Sequence, residues 1–266
     1  MRRVFSCSMV VVLLCAAVVQ GQDDALAEDV GQPPGENAEQ PEGATASWLS
    51  GWKGSVSAGT NGSAGNTETF NARLALDAQR ATESLDTRLS LSYTFGKAEG
   101  RTSDNYFQTT ARNDWLLRDS RWRPFVRGAA EFDEFQDWDW RLTGIAGMGY
   151  ELARSDDVLL IGRLGAGGRY DVGGADDGLV PEGALGLDYE HQLTERQKFV
   201  ATVDYLPSLD DYPAYRVEGK ASWEIIVDPE VKLSLRIGIE NRYDSTPGLG
   251  FKRNDLDYFA MLSWAF

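Results

Sequence analysis

Cysteine and histidine are nearly missing from this chain of 266 residues. Cys7 and Cys15 both fall in the first fifteen residues, and His191 is the single histidine. From Trp48 onward there is no disulfide, no thiol nucleophile and no cysteine-based metal site. Sites built on clustered histidines are nearly removed as well. An excess of basic charge is also lacking, with 26 Lys and Arg against 41 Asp and Glu. That balance argues against nucleic acid as a partner. After the N-terminal region no apolar run reaches the roughly 18 residues of a transmembrane helix. Strand-built membrane proteins survive that last exclusion, because their spans are short and only alternately apolar.

Arg2 and Arg3 precede an apolar run from Val10 to Val19, followed by Gln20, Gly21 and Gln22. A basic start, a short apolar segment and small residues describe a secretory leader. The run is too short for a helical span, which needs about 20 residues. Residues 1–21 are therefore expected to be a signal peptide, cleaved after Gly21 with Val19 at minus three, or alternatively near Ala17. Leu14 stands where a lipoprotein leader wants a small residue, which disfavours lipidation of Cys15. Residues 22–47 carry seven acids and no Lys or Arg. Their Pro, Gly, Ala, Gln and Glu bury too little apolar surface to offset ordering entropy, so a disordered acidic tether is expected.

Residues 48–266 hold 34 acids and 24 bases, a length that suits one barrel domain. The last stretch, Asp255 to Phe266, shows its pattern most plainly. Leu256, Tyr258, Ala260, Leu262, Trp264 and Phe266 share one parity, opposite Asp255, Asp257, Phe259, Met261, Ser263 and Ala265. Successive strand side chains face opposite sides, so one face is wholly apolar. Phe266 as an aromatic end resembles the closing strand of bacterial outer-membrane barrels, in which the terminal residue is read by the barrel-assembly machinery.

Eleven further stretches alternate in the same way. One parity carries the apolar set, for example Phe70, Leu74 and Leu76, or Leu233, Leu235, Ile237 and Ile239. The other carries charge: Arg73, Arg88, Arg112, Arg127, Glu131, Arg163, Arg169, Glu182, Glu218, Lys220 and Arg236, among others. Links after even-numbered strands are expected to be tight, such as Arg80 to Ser84 and Arg118 to Arg121. Those after odd-numbered strands are expected to be longer, such as Gly96 to Asp104 and Tyr243 to Asn254. Short turns alternating with longer loops, and an even strand count, predict an all-β, twelve-stranded antiparallel transmembrane barrel of the bacterial outer membrane. A soluble lipocalin-type barrel is the alternative, but its strand count is usually eight.

An Arg or Lys facing the bilayer midplane costs roughly 2–4 kcal/mol, so the charged parity is expected to line the lumen. Both signs are mixed there. They either pair and fill the interior or line a narrow aqueous path whose selectivity they set. Barrel width at twelve strands does not decide between these outcomes. Trp52, Trp115, Trp122, Trp223, Tyr258 and Trp264 are expected to form aromatic girdles at the membrane interfaces.

Trp52-Lys53-Gly54, the Gly65-Asn66-Thr67 turn and the aromatic terminus resemble a family of salt-induced outer membrane proteins related to YdiY, a domain-of-unknown-function family. The resemblance covers about residues 48–266. It implies an outer-membrane location and an osmotic-stress connection, and it carries no catalytic residues. No cofactor, metal site or catalytic group is expected. A Ser/His pair two residues apart would mark a barrel phospholipase, but His191 is followed by Gln192 and Leu193. Acidic loop residues (Asp133, Glu134, Asp137, Asp139; Asp176, Asp177; Asp210, Asp211) lack the ordered spacing of a calcium loop. The expected partners are outer-membrane lipid and lipopolysaccharide, the assembly machinery, and small ions or solutes.

Overall fold

A computed structural model describes residues 50–63, 68–173, 178–248 and 250–266. The expected leader and tether, Trp48, Gly65-Asn66-Thr67, Asp176 and Asp177 lie outside the described residues. The described chain contains twelve strands: β1 (Trp52–Ser63), β2 (Thr69–Ala81), β3 (Leu85–Ala98), β4 (Arg101–Trp115), β5 (Trp122–Asp133) and β6 (Trp140–Arg154), then β7 (Val158–Val172), β8 (Gly178–Thr194), β9 (Gln197–Pro207), β10 (Tyr215–Asp228), β11 (Leu233–Asp244) and β12 (Asn254–Ala265). Each is hydrogen-bonded to its neighbours in sequence, and β12 returns to β1, so the sheet closes into a barrel.

The alternation in sequence becomes the two faces of the wall. Leu74, Leu164, Leu179 and Ile239 point outward and are exposed, Leu179 at 70 %. Asp114 and Glu182 point inward and are 0 % and 2 % exposed. A water-soluble barrel distributes these residue types the other way round, with charge outside and apolar side chains within. An apolar outer belt around a polar interior is the arrangement that a hydrocarbon solvent selects. The closed twelve-stranded transmembrane barrel expected from the sequence is therefore the fold.

Two expected link lengths are corrected. Gly96 to Asp104 is not a loop: β3 and β4 run on to a two-residue turn at Glu99 and Gly100, both left-handed at φ 50° and 75°. Two consecutive positive-φ residues make the hairpin turn whose twist matches its strands. The link before β5 is wider than expected, spanning 116–121, with Asp119 at φ 56° and Ser120 N donating to Leu117 O at 3.2 Å. Strands that cross a bilayer need only about 9–11 residues, whereas β8 has 17 and β4 has 15. Past the hydrocarbon, apolar alternation stops although the ladder continues, so pattern alone ends these strands too early.

The wall is least regular where it closes. β1 pairs with β2 along its whole length, from Trp52↔Arg80 to Ser63↔Thr69. Its register with β12 covers only Ser55↔Ala265 to Ala58↔Leu262. Phe266 reinforces this short join: its N–H donates to Gly54 O at 2.9 Å. Its ring lies so close that a Cβ on Gly54 would sit 2.5 Å from Phe266 Cζ.

Candidate functional site

Among the described residues, buried charged side chains concentrate in the interior, and three levels of it are distinct. Nearest the end that carries Ser50 and Phe266, Arg163 on β7 reaches Asp114 on β4 through Nη1 and Nη2, at 2.7 and 3.0 Å. Its Nε donates to Asp188 on β8 at 2.8 Å. Arg112 Nη1 approaches the same Asp188 at 2.9 Å, and Arg123 pairs with Glu151. Glycine makes room for these guanidinium groups: a Cβ on Gly149 would lie 2.9 Å from Arg123 Cγ and 3.3 Å from Arg163 Nη1. Arg88 pairs with Glu190 and with Asp86, and Lys198 Nζ adds a contact to Glu190 at 2.9 Å.

At mid-height an apolar cluster of Phe125, Ile145, Ala184 and Leu206 fills the space between β5, β6, β8 and β9. Arg163 Cζ stands 4.9 Å above the Phe125 ring, within cation–π range. Arg127 on β5 pairs with Asp204 on β9, and Arg236 on β11 pairs with Asp77 on β2.

At the loop end Arg216 makes a two-pronged contact with Glu182, at 3.1 and 2.9 Å, and a third bond to Glu218 at 2.7 Å. Arg169 lies 3.5 Å from Asp171 and 3.8 Å from Glu182. Tyr106 donates its hydroxyl to Glu131 at 3.3 Å, and Arg242 stacks on the Tyr106 ring at 3.8 Å. Trp138 folds in from the 134–139 link beneath Arg141, 4.5 Å from its guanidinium carbon. Between these groups a cavity of only about 50 Å³ is left, bordered by Tyr106, Glu131, Arg141, Arg216 and Arg242. Two-pronged Arg–carboxylate contacts fix both partners as well as attracting them.

All eleven lumen residues singled out in the sequence point inward. Ten are held by oppositely charged or hydroxyl partners, Arg73 by Glu240. Lys220 shares the interior without a salt bridge among the described residues. Of the aromatic set, Trp52, Trp115, Trp122, Trp223 and Trp264 lie on the outer face towards the end that carries Ser50 and Phe266, and Tyr258 lies in the loop half. The loop end has its own cluster of aromatics, with Tyr215 stacked on Tyr243 at 5.7 Å and tilted against Tyr205 at 5.5 Å. Tyr106, Trp138, Phe125, Ile161 and Leu206 were missed as interior groups. Tyr106 lies on the charged parity and was findable; Trp138 is a loop residue, and only the fold brings it inside. His191 faces outward, its Nδ1 2.9 Å from the Tyr189 hydroxyl and its ring 5.9 Å from that of Tyr189.

A family model described as "Protein of unknown function, DUF481" matches residues 56–266. The chain belongs to that family. No curated protein matches the sequence significantly. Among solved structures, this member is similar to the NanC porin, at 14 % identity and TM-score 0.44 over 80 % of this chain and 96 % of that one. It is similar to an outer membrane channel from Pseudomonas putida F1, at 10 % identity and TM-score 0.47 over 81 % and 95 % of the two chains. A third similarity is to the translocator domain of the autotransporter NalP from Neisseria meningitidis, at 10 % identity and TM-score 0.44 over 81 % and 88 %. Likeness at this level carries no functional argument, so the barrel's own geometry must supply it.

Proposed function

We propose that this protein is an outer-membrane barrel whose lumen is held closed by ion pairs, a structural envelope protein rather than an open pore. The observation that carries the reading is the set of ion pairs that tie distant strands together across the interior. Arg88 on β3 joins Glu190 on β8, Arg163 on β7 joins Asp114 on β4, and Arg127 on β5 joins Asp204 on β9. Passage of a hydrated ion has to displace these pairs, and leaving a buried charge without its partner costs roughly 3–5 kcal/mol. The aromatic rings at the two ends support seating in a bilayer, with the termini on the periplasmic side. Exposed Glu134, Asp137, Asp139, Asp210 and Asp211 then meet the divalent ions of lipopolysaccharide. The link to salt stress rests on the resemblance of the sequence to salt-induced outer membrane proteins.

The test is solute entry. Proteoliposomes containing the folded barrel are mixed with an iso-osmotic solution of a pentose, and swelling is followed by light scattering. The proposal expects the same trace as protein-free vesicles. Swelling that scales with the amount of inserted protein would replace the closed barrel with a narrow pore.

A further inference from the structure

Above Ala58 and Leu262 the ladder between the two closing strands stops, although Gly59 still lies against β12, where a Cβ would sit 2.4 Å from Ala260 O. β1 continues to Ser63 in register with β2 alone, and β12 from Asn254 to Met261 is in register with β11 alone. At this seam lies a cavity of about 850 Å³, far larger than the space left at the loop mouth. Its lining comes from both faces of the wall, so the cavity passes from the outer surface towards the lumen. Trp223, Ile237 and Tyr258 are outward-facing groups, and Tyr258 is 82 % exposed. Arg73, Asp104 and Asp257 are inward-facing ones.

The inner wall is built rather than accidental. Phe259 turns its ring over β11, so close that a Cβ on Gly238 would sit 2.5 Å from Phe259 Cζ. Arg73 stacks on that ring, 4.7 Å from its centroid. Arg73 is 7 % exposed and is anchored by Glu240, yet its Nε has no hydrogen-bond partner in the protein. Asp104 makes no salt bridge among the described residues, and Asp257 makes one, to Arg242 at 3.3 Å. An apolar outer rim leading to a buried cation beside two carboxylates has the chemistry of an amphiphile with both charges in its head.

We propose that the β1–β12 seam is a lateral binding site for a zwitterionic phospholipid that has entered the loop-side leaflet. One acyl chain lies along Trp223, Ile237 and Tyr258, the phosphate faces Arg73, and the ammonium faces Asp104 and Asp257. A head with net negative charge would set its excess against those carboxylates and is disfavoured. The site rests on the bilayer seating proposed above, but not on whether the lumen conducts.

The test uses the absence of cysteine after Cys15. Continuing the register of Ser55↔Ala265 past Ala58 sets Gly62 opposite Tyr258. The pair Gly62→Cys and Tyr258→Cys, once oxidised, zips the seam shut, and a reductant reopens it. The barrel is placed in vesicles containing a phosphatidylethanolamine with a photoactivatable acyl chain, and in a second set the same probe carries a phosphatidylglycerol head. After irradiation the labelled peptides are mapped. The expected result is severalfold enrichment of label on β10 to β12 over the Leu164 and Leu185 faces, with the ethanolamine head only. Oxidation should remove the enrichment and reduction should restore it. The double variant Arg73→Gln, Glu240→Gln keeps the interior charge balanced and should also lose it. Even labelling around the barrel, equal labelling by the glycerol head, or enrichment that survives the closed seam would each overturn the site. No label on Leu164 or Leu185 either would instead overturn the bilayer seating.

Discussion

The lumen wall between β4 and β8 and the seam between β1 and β12 are made from the same alternation, yet one is solid and the other is open. In the first region Arg112, Arg123 and Arg163 interleave with Asp114, Glu151 and Asp188, and Phe125 and Ile145 fill the space beside them. At the seam the inward residues of β1 are Ser55, Ser57, Gly59 and Asn61, all short and uncharged. Ser57 Oγ meets Ser263 Oγ at 2.9 Å, and the ladder ends one residue higher, at Ala58↔Leu262. Long side chains lock one part of the barrel, and short ones leave the other free to part. Closure of the interior therefore depends on side-chain length and pairing more than on strand number.

That contrast can be broken most severely at Arg163. Arg163→Met leaves Asp114, wholly buried, without its two-pronged partner, a loss of about 3–5 kcal/mol. Urea unfolding from lipid vesicles should show a lowered midpoint or a failure to insert. A wild-type midpoint would mean that the network is ornamental. Truncating one aromatic in each region sharpens the comparison. Phe125→Ala empties a filled cluster and should cost about 3–5 kcal/mol, whereas Phe259→Ala borders space that lipid can enter and should cost less. Equal losses in the same unfolding assay would deny that the seam is the looser region.

Leu164, outward on β7 and well exposed, tests the solvent of the solid side. Leu164→Arg should cost roughly 2–4 kcal/mol in a bilayer, and no cost would mean that this face meets water. The smallest effect is expected at Arg154. Its bond to Glu151 at 2.9 Å joins a side chain that is 67 % exposed, so Arg154→Ala should shift stability by less than about 1 kcal/mol. A larger shift would extend the buried network out to the rim.

Much of this was legible in the sequence because a strand has only two faces. Once Leu164 is assigned outward, Arg163 has to point inward, and the same logic placed Arg73, Glu182 and Arg236. What the alternation does not encode is partnership. Nothing in the spacing of Arg127 and Asp204 shows that β5 and β9 face one another across the lumen. It also does not mark which apolar residues on the charged parity fill the interior, so Phe125, Ile161 and Leu206 are not singled out until the barrel closes around them. The turn at Glu99 and Gly100 was obscured because polar strand ends beyond the bilayer look like loop. The seam was invisible for a related reason: it depends on where register stops between the first and last strands.

The most direct test of the closed interior is electrical. The folded barrel is inserted into a planar bilayer, its insertion is verified, and current is recorded across a potassium chloride gradient. The account expects a baseline without steady steps for the wild type and steps for Arg163→Met if that variant still inserts. Discrete wild-type steps with an ion preference would contradict it, making the inward Arg and Glu rows the lining of a working pore.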